Sequence, residues 1–299
     1  MNIGIFGVGS FGQKHIHVLK SIKSFNIVGF FDPNTELSQI IENEFKIKSY
    51  KNEEELIKEC DVLDIVSETS THYNLIKKIA HYNKHMFIEK PICSSKNESQ
   101  SLIKELRNYK PIIQVGHVER YNPTIIDELH QLNNIKTIES KRIGTLNHRN
   151  ENTSITLDLM IHDIDLIIQM AKSNIKKIEA FSDDKKNPLN HIECTLLFDN
   201  GTQAYLAAKR TKNSNNVRTM IISCEDKNIE IDLLTRNKKI ITRNRQKIQK
   251  YAANINPLKE ELIDFYHKIK SQKKPLVGLT EACHAVNIAI DIENKINQT

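Results

Sequence analysis

Met1-Asn2-Ile3-Gly4-Ile5-Phe6-Gly7-Val8-Gly9-Ser10-Phe11-Gly12 is an apolar strand running straight into Gly-x-Gly-x-x-Gly, with a helix-like segment after it from Phe11 to about Lys23. Each glycine has its own task in a phosphate-binding turn. Gly7 permits the tight turn, Gly9 lets backbone N–H groups approach a pyrophosphate, and Gly12 lets the helix press on the strand. Val8, Ser10 and Phe11 offer their backbone to the same ligand, and the helix N-terminus favours its charge. A glycine turn built only for packing reads the same in isolation, so the sequence on either side of it carries the assignment.

Asn26 to Phe31 reads as a second strand, and it ends at Asp32, about twenty residues past Gly12, where a dinucleotide site places the carboxylate that binds ribose. Asp32-Pro33-Asn34 is also an ordinary turn that caps a following helix. With strand, glycine turn, helix, strand and acid in order, the dinucleotide reading prevails. No Arg or Lys stands beside Asp32 to receive a 2′-phosphate, which favours NAD over NADP.

Strand and helix signals keep alternating: helices near 35–45, 53–60, 71–82 and 97–109, and strands near 47–50, 62–66, 85–89 and 111–115. This predicts a doubly wound parallel sheet, whose ligand lies beyond the carboxyl ends of the strands. Two strand ends are candidates. Ser67-Glu68-Thr69-Ser70-Thr71-His72 offers Ser67, Thr69 and His72 to a cofactor, or hydroxyls that cap the next helix. Glu89-Lys90-Pro91 offers Glu89 and Lys90, with Pro91 holding Lys90 extended; the alternative is an exposed ion pair.

Beyond Gly116 the pattern changes, and a boundary at residue 119 predicts a cofactor domain over 1–119 and a second domain over 120–299. His117-Val118-Glu119-Arg120-Tyr121-Asn122-Pro123 leads into a helix with Asn122 as N-cap and Pro123 at its first position. Residues 154–170 form a helix that is apolar nearly all round, crossed by a polar stripe of Asp158, His162, Asp165 and Gln169. Polar groups there need partners, so the stripe either closes a buried network or lines a ligand cavity. His162 one turn after Asp158, with Asp163 beside it, is a ready acid or base. After Ile135–Ile143, strand-like segments recur between 178 and 243, with a hairpin signal at Asp199-Asn200-Gly201. Two helices, 257–270 and 280–296, end the chain. The second domain is therefore α+β with a mostly antiparallel sheet.

Composition excludes several classes. The net charge of +6 comes from 43 basic residues interspersed with 37 acidic ones, and the Lys- and Arg-rich stretch 236–250 lacks interleaved aromatics, so no nucleic-acid partner is expected. Five scattered cysteines without Cys-x-x-Cys spacing indicate neither a disulfide framework nor a metal site. The chain starts on a strand, without a basic leader, and no apolar run reaches the roughly 18 residues that span a bilayer. A cytoplasmic protein without membrane contact is the expectation.

Gly7-x-Gly9-x-x-Gly12, Asp32, Thr71-His72, Glu89-Lys90-Pro91, Arg120-Tyr121-Asn122-Pro123 and Asp158-x-x-x-His162-Asp163 together resemble the glucose-fructose oxidoreductase / inositol dehydrogenase / rhizopine-catabolism family of NAD(P)-dependent enzymes. Glu68 departs from the family, which commonly has proline there. The resemblance implies an α/β Rossmann domain, then an α+β domain with a large open-faced sheet that forms homodimers or homotetramers, and an active site between the domains. It implies Lys90 against cofactor and substrate, and Asp158 and His162 completing the acid-base group. His162 would take the hydroxyl proton while Lys90 stabilises the alkoxide, or the reverse. His117-Val118-Glu119-Arg120 and Leu157 to Asp165 most resemble a subgroup that oxidises the C3 hydroxyl of UDP-N-acetylglucosamine in a lipid A pathway. For such a substrate His117, Arg120, Asn122 and Arg142 become binding candidates, and Arg149, Lys209 and Arg210 further cations for its diphosphate. Dehydrogenation of a free polyol such as an inositol, reduction of a ketone, and a non-catalytic nucleotide-sensing regulator are the competing expectations.

Overall fold

A computed structural model describes residues 1–126, 128, 132–146, 154–183, 190–212, 215–252 and 254–296. Among these the chain divides into two compact units, Met1–His117 with Leu258–His284, and Val118–Pro257 with Ala285 onward.

The first unit is a five-stranded parallel sheet. Its strands are β1 (Asn2–Phe6), β2 (Asn26–Phe31), β3 (Val62–Ile65), β4 (His85–Glu89) and β5 (Ile113–Gly116), in the order β2-β1-β3-β4-β5. Helices α1 (Ser10–Lys20), α2 (Thr35–Phe45), α3 (Glu53–Glu59), α4 (Thr69–His81) and α5 (Lys96–Glu105) make the crossovers. Every residue of β3 and β5 is buried, as expected for parallel strands covered on both faces. The order reverses between β1 and β3, so the crevice for a ligand lies beyond the carboxyl ends of those strands.

Two expectations change here. Residues 47–50 are not a sheet strand; Ser49 makes only an isolated bridge to Phe30, closed by Phe30 N–H to the Lys48 carbonyl (3.0 Å) and Tyr50 N–H to the Phe30 carbonyl (2.8 Å). The helix Pro257–Ser271, which the division at residue 119 places in the second domain, belongs with the first unit. Its Leu262, Phe265 and Ile269 complete the apolar core around Ile3, Ile5, Phe30 and Phe87, and Gln114 Nε2 donates to the Glu261 carbonyl at 3.3 Å.

The second unit is built on an eight-stranded sheet. Its strands are β6 (Ile135–Thr145), β7 (Ile175–Phe181), β8 (His191–Phe198), β9 (Gln203–Thr211), β10 (Val217–Cys224), β11 (Lys227–Asp232), β12 (Asn237–Thr242) and β13 (Gln246–Lys250). The order is β13-β12-β11-β10-β6-β9-β8-β7, with every pairing antiparallel except β6 with β9. The hairpin at Asp199-Asn200-Gly201 forms as expected, with Gly201 at φ +87° and Asn200 Oδ1 accepting from Thr202 N–H. Ile138, Leu206, Met220 and Ile222 lie on one face with the helical segment 155–171, while Phe181, Tyr205 and Ile221 project from the other.

That helical segment is not uniform. Thr156–Met160 is a π turn, closed by Ile161 N–H on the Thr156 carbonyl, and α6 (Ile161–Ala171) follows. The helix expected after Pro123 begins as turns, with Ile126 N–H on the Asn122 carbonyl at 3.1 Å, and most of its further course lies outside the described residues. Pro257–Ser271 is α7, and the last helix, α8, runs Leu279–Ile296. The five cysteines are free and buried, and among the described residues no helix is long and apolar enough to cross a membrane.

Candidate active site

In the first unit the glycine turn has the geometry its sequence predicts. Gly7 sits at φ +90°, and a Cβ there would meet the Ser67 backbone at 2.6 Å. A Cβ on Gly12 would lie 2.1 Å from the Gly7 carbonyl oxygen, so α1 can pack this closely only without one. Around Gly9, by contrast, a Cβ would meet nothing within 4 Å. Gly9 is also the N-cap of α1, which has no side-chain cap and no acidic residue in its first turn. An open approach to a helix N-terminus without a capping side chain fits the pyrophosphate of a dinucleotide. Ser10 and Phe11 form the first turn of that helix, and Phe11 is exposed.

Asp32 closes the other side of this turn. Its Oδ2 accepts from Val8 N–H at 2.9 Å and its Oδ1 from Asn34 N–H at 2.9 Å. Both the ribose role and the turn role expected of Asp32 are thus compatible with one carboxylate. The helix-capping task passes to Asn34, whose Oδ1 accepts from Leu37 N–H at 3.0 Å.

The two later strand ends behave differently from their simplest readings. Ser67 Oγ pairs with Thr71 Oγ1 at 2.7 Å, and Thr71 Oγ1 donates to the Glu68 carbonyl, so hydroxyls brace the loop; Thr69 is the half-buried first residue of α4. His72 is buried, with Nδ1 2.9 Å from the Pro91 carbonyl oxygen and Nε2 3.1 Å from that of Ser67. It ties the loop after β3 to the segment after β4, and burial, opposed by those two carbonyls, holds its pKa below the usual histidine value. Glu89 is not in an exposed ion pair. It turns inward, Oε1 lying 3.1 Å from His15 Nε2, while Oε2 accepts from the Lys90 N–H at 3.2 Å. Lys90 itself stays half-buried at the end of the sheet, joined to Pro91 by a cis peptide.

His15 and Asp64 were not foreseen. His15 lies on the buried face of α1 with Gly12, Ile16 and Leu19, its Nδ1 2.9 Å from Oδ2 of Asp64 in the middle of β3. Burial opposes its charge, but Asp64 and Glu89 outweigh burial and push its pKa up to about 10. Burial pushes the Asp64 carboxyl up against the pull of His15, whereas Glu89, opposed by burial, is held below the usual carboxylate range by His15 and Lys90. A polar residue centred in each of two apolar segments was the available signal, because such groups must find one another.

In the second unit the polar stripe divides. Asp165 receives a bidentate pair from Arg120, at 2.7 Å from both Nε and Nη2, and Gln169 accepts from Arg120 Nη1 at 3.3 Å. Asp163 takes a second bidentate pair from Arg142, whose Nη1 also donates to Glu119 at 3.1 Å. Asp158, on the π turn, pairs with Arg210 Nη2 at 2.6 Å but keeps 28% of its side chain exposed, and His162 is half-buried. Burial works to raise Glu119, yet Arg142 and Arg218 hold its carboxyl below the usual range.

The residues expected to contact substrate are placed as follows. Arg120 and Arg142 are buried and directed onto carboxylates, because they lie on the covered side of their elements; Arg142 is in phase with Ile138 and Ser140 along β6. Asn122 is buried as well, its amide donating to Glu119 and to the Leu233 carbonyl while its Oδ1 accepts from Thr124. His117 is buried at the end of the first unit. Arg210 is drawn to Asp158, Lys209 lies on the solvent side within 4.0 Å of Asp183, and Arg149 lies outside the described residues. Within the stripe Asp158, His162 and Gln169 are half-buried, and Asp165 is buried.

A doubly wound sheet with an open glycine turn and an acid at the end of its second strand defines a nicotinamide-dinucleotide-binding oxidoreductase. Residues 1–117 match the model of the oxidoreductase family with the NAD-binding Rossmann fold. UDP-N-acetylglucosamine 3-dehydrogenase of Acidithiobacillus ferrooxidans is 28% identical over 78% of this chain and 74% of its own length. The scyllo-inositol 2-dehydrogenase (NAD(+)) of Bacillus subtilis is 24% identical over 74% of this chain and 71% of its own. In fold, the crystallised Acidithiobacillus enzyme superposes with a TM-score of 0.92 at 24% identity, covering 100% of this chain and 98% of that one. Myo-inositol 2-dehydrogenase from Lactobacillus plantarum gives 0.85 at 19% identity, covering 100% and 97%.

Proposed function

We propose that the protein oxidises a secondary hydroxyl of a sugar or sugar nucleotide by hydride transfer to NAD, with the C3 hydroxyl of UDP-N-acetylglucosamine as its substrate. The observation that carries the acid-base part is the pair Asp158 and His162 on the π turn and the helix after it, which retain exposure while Asp163 and Asp165 are buried against arginines. π turns interrupt regular helices at a cost and occur frequently at functional sites. His162 takes the hydroxyl proton, Asp158 balances the charge that forms, and Lys90 stabilises the alkoxide. NAD accepts the hydride when bound. Gly7 to Gly12 hold its pyrophosphate and Asp32 its ribose. The acid at 32, followed by Pro33 and Asn34 with no adjacent cation, supports NAD over NADP.

The substrate assignment is supported by the relative whose printed name is UDP-N-acetylglucosamine 3-dehydrogenase. Incubating the protein with NAD and UDP-N-acetylglucosamine should raise the absorbance of reduced cofactor and yield the 3-keto sugar nucleotide. Failure with this and other UDP-sugars would remove the substrate assignment. The relative named scyllo-inositol 2-dehydrogenase favours a second reading, oxidation of a free polyol, and the same assay with an inositol panel separates the two. For assembly, exposed Phe181, Tyr205 and Ile221 on the outer face of the eight-stranded sheet support a homo-oligomer through that face.

A further inference from the structure

The imidazole of His15 lies between two carboxylates, and one of them also touches Lys90. Both distances are those of hydrogen bonds, 2.9 Å to Asp64 and 3.1 Å to Glu89. A neutral imidazole has a single N–H and cannot donate to both, whereas an imidazolium can. The two carboxyl groups set the ring plane of His15 from both nitrogens at once, and the proton on the second nitrogen is shared with whichever carboxyl faces it. Glu89 in turn has no freedom to leave. Its Oε1 is taken by His15 and its Oε2 by the Lys90 N–H, and a Cβ added to Gly116 on the neighbouring strand would come within 2.9 Å of Oε1. Beyond Lys90, the Pro91 carbonyl is held by His72.

We infer that His15 is a positioning residue: anchored by Asp64, it sets the Glu89 carboxylate that receives the Lys90 backbone N–H, and so fixes Lys90 at the end of β4. The inference rests on the reading that Lys90 acts on the substrate. It also links two parts of the cofactor domain that are far apart in sequence, because His15 stands on the helix whose N-terminus faces the pyrophosphate site. Displacement of a reacting group by about 1 Å costs roughly 100-fold in rate, so a buried brace one residue from Lys90 has kinetic weight.

His15→Gln removes the cation and leaves donors on a single nitrogen in place of the two ring nitrogens. Hydrogen exchange at the Lys90 amide should rise by about tenfold or more, while amides within β3 and β4 keep their protection. In turnover, kcat should fall by roughly 10–100-fold with the KM for NAD nearly unchanged, and the same substitution in a Lys90→Ala background should produce no further loss. Glu89→Gln should reproduce both effects and serves if His15→Gln does not fold. An unchanged Lys90 amide, exchange that rises across the whole sheet, or an equal loss of kcat in the Lys90→Ala background would each overturn the inference. The exchange measurement needs no substrate, so absence of turnover in the unaltered protein, which removes the proposed function, leaves the positioning of Lys90 separately decided.

Discussion

The two units bury charge in opposite ways. In the first, one histidine cation is shared between Asp64 and Glu89, and the carboxylate shared with it reaches the rim where Lys90 stands. In the second, arginines are matched to carboxylates in bidentate pairs, Arg120 with Asp165 and Arg142 with Asp163, sealed from solvent. A shared ion positions a neighbour, whereas a closed pair ties α6 to β6 through Arg142 or to the turn Val118–Tyr121 through Arg120. Lys90, Asp158 and His162 are half-buried, whereas Arg120, Arg142 and Asn122 are buried.

The largest effects should come from the half-buried side chains. Lys90→Ala and His162→Ala should each lower kcat by roughly 10²–10⁴-fold while NAD still raises the melting temperature, as expected for groups needed in chemistry rather than in cofactor binding. Equal turnover in either variant would erase the distinction between half-buried and closed charges. Next come the closed pairs. Arg142→Met leaves Asp163 and Glu119 buried without their partner and should cost about 3–5 kcal/mol in urea denaturation.

The shared ion should show itself through pH. His15 binds its proton more tightly in the folded protein than in the unfolded chain, so the stability it contributes is complete below the unfolded value of about 6.5 and is lost as pH rises through about 10. The melting temperature should fall over that interval, and His15→Gln should remove that part of the fall. Within the glycine turn, Gly12→Ala must displace α1 and should destabilise the free protein by roughly 1–3 kcal/mol. Gly9→Ala meets open space and should leave free-protein stability within about 0.5 kcal/mol while weakening NAD binding, read by calorimetry. Smallest is Asn34→Ala, which removes the cap of α2 and should cost about 1 kcal/mol in thermal unfolding.

Local chemistry explains which readings were legible. A glycine turn is a property of six consecutive residues, so Gly7 at positive φ and Gly12 against the Gly7 carbonyl follow directly from Gly-x-Gly-x-x-Gly. Alternation along β8 and β9 likewise marks buried and exposed positions by period two. The same period applied to β6 places Arg142 on the covered face beside Ile138 and Ser140. The π turn had no such signal, since Thr156–Met160 has the composition of an ordinary apolar helix.

Sequence by itself determined the doubly wound cofactor domain, the glycine turn with its acid at 32, and the antiparallel character of the second domain, because these rest on turn chemistry and on periodic burial within short segments. Only the tertiary structure decided which charges are consumed. Asp64 meets His15 across 49 residues and Arg120 meets Asp165 across 45, and no local pattern states which of many carboxylates a buried cation will find. That choice follows from burial, where an unpaired charge is too costly to leave and the fold must supply its partner.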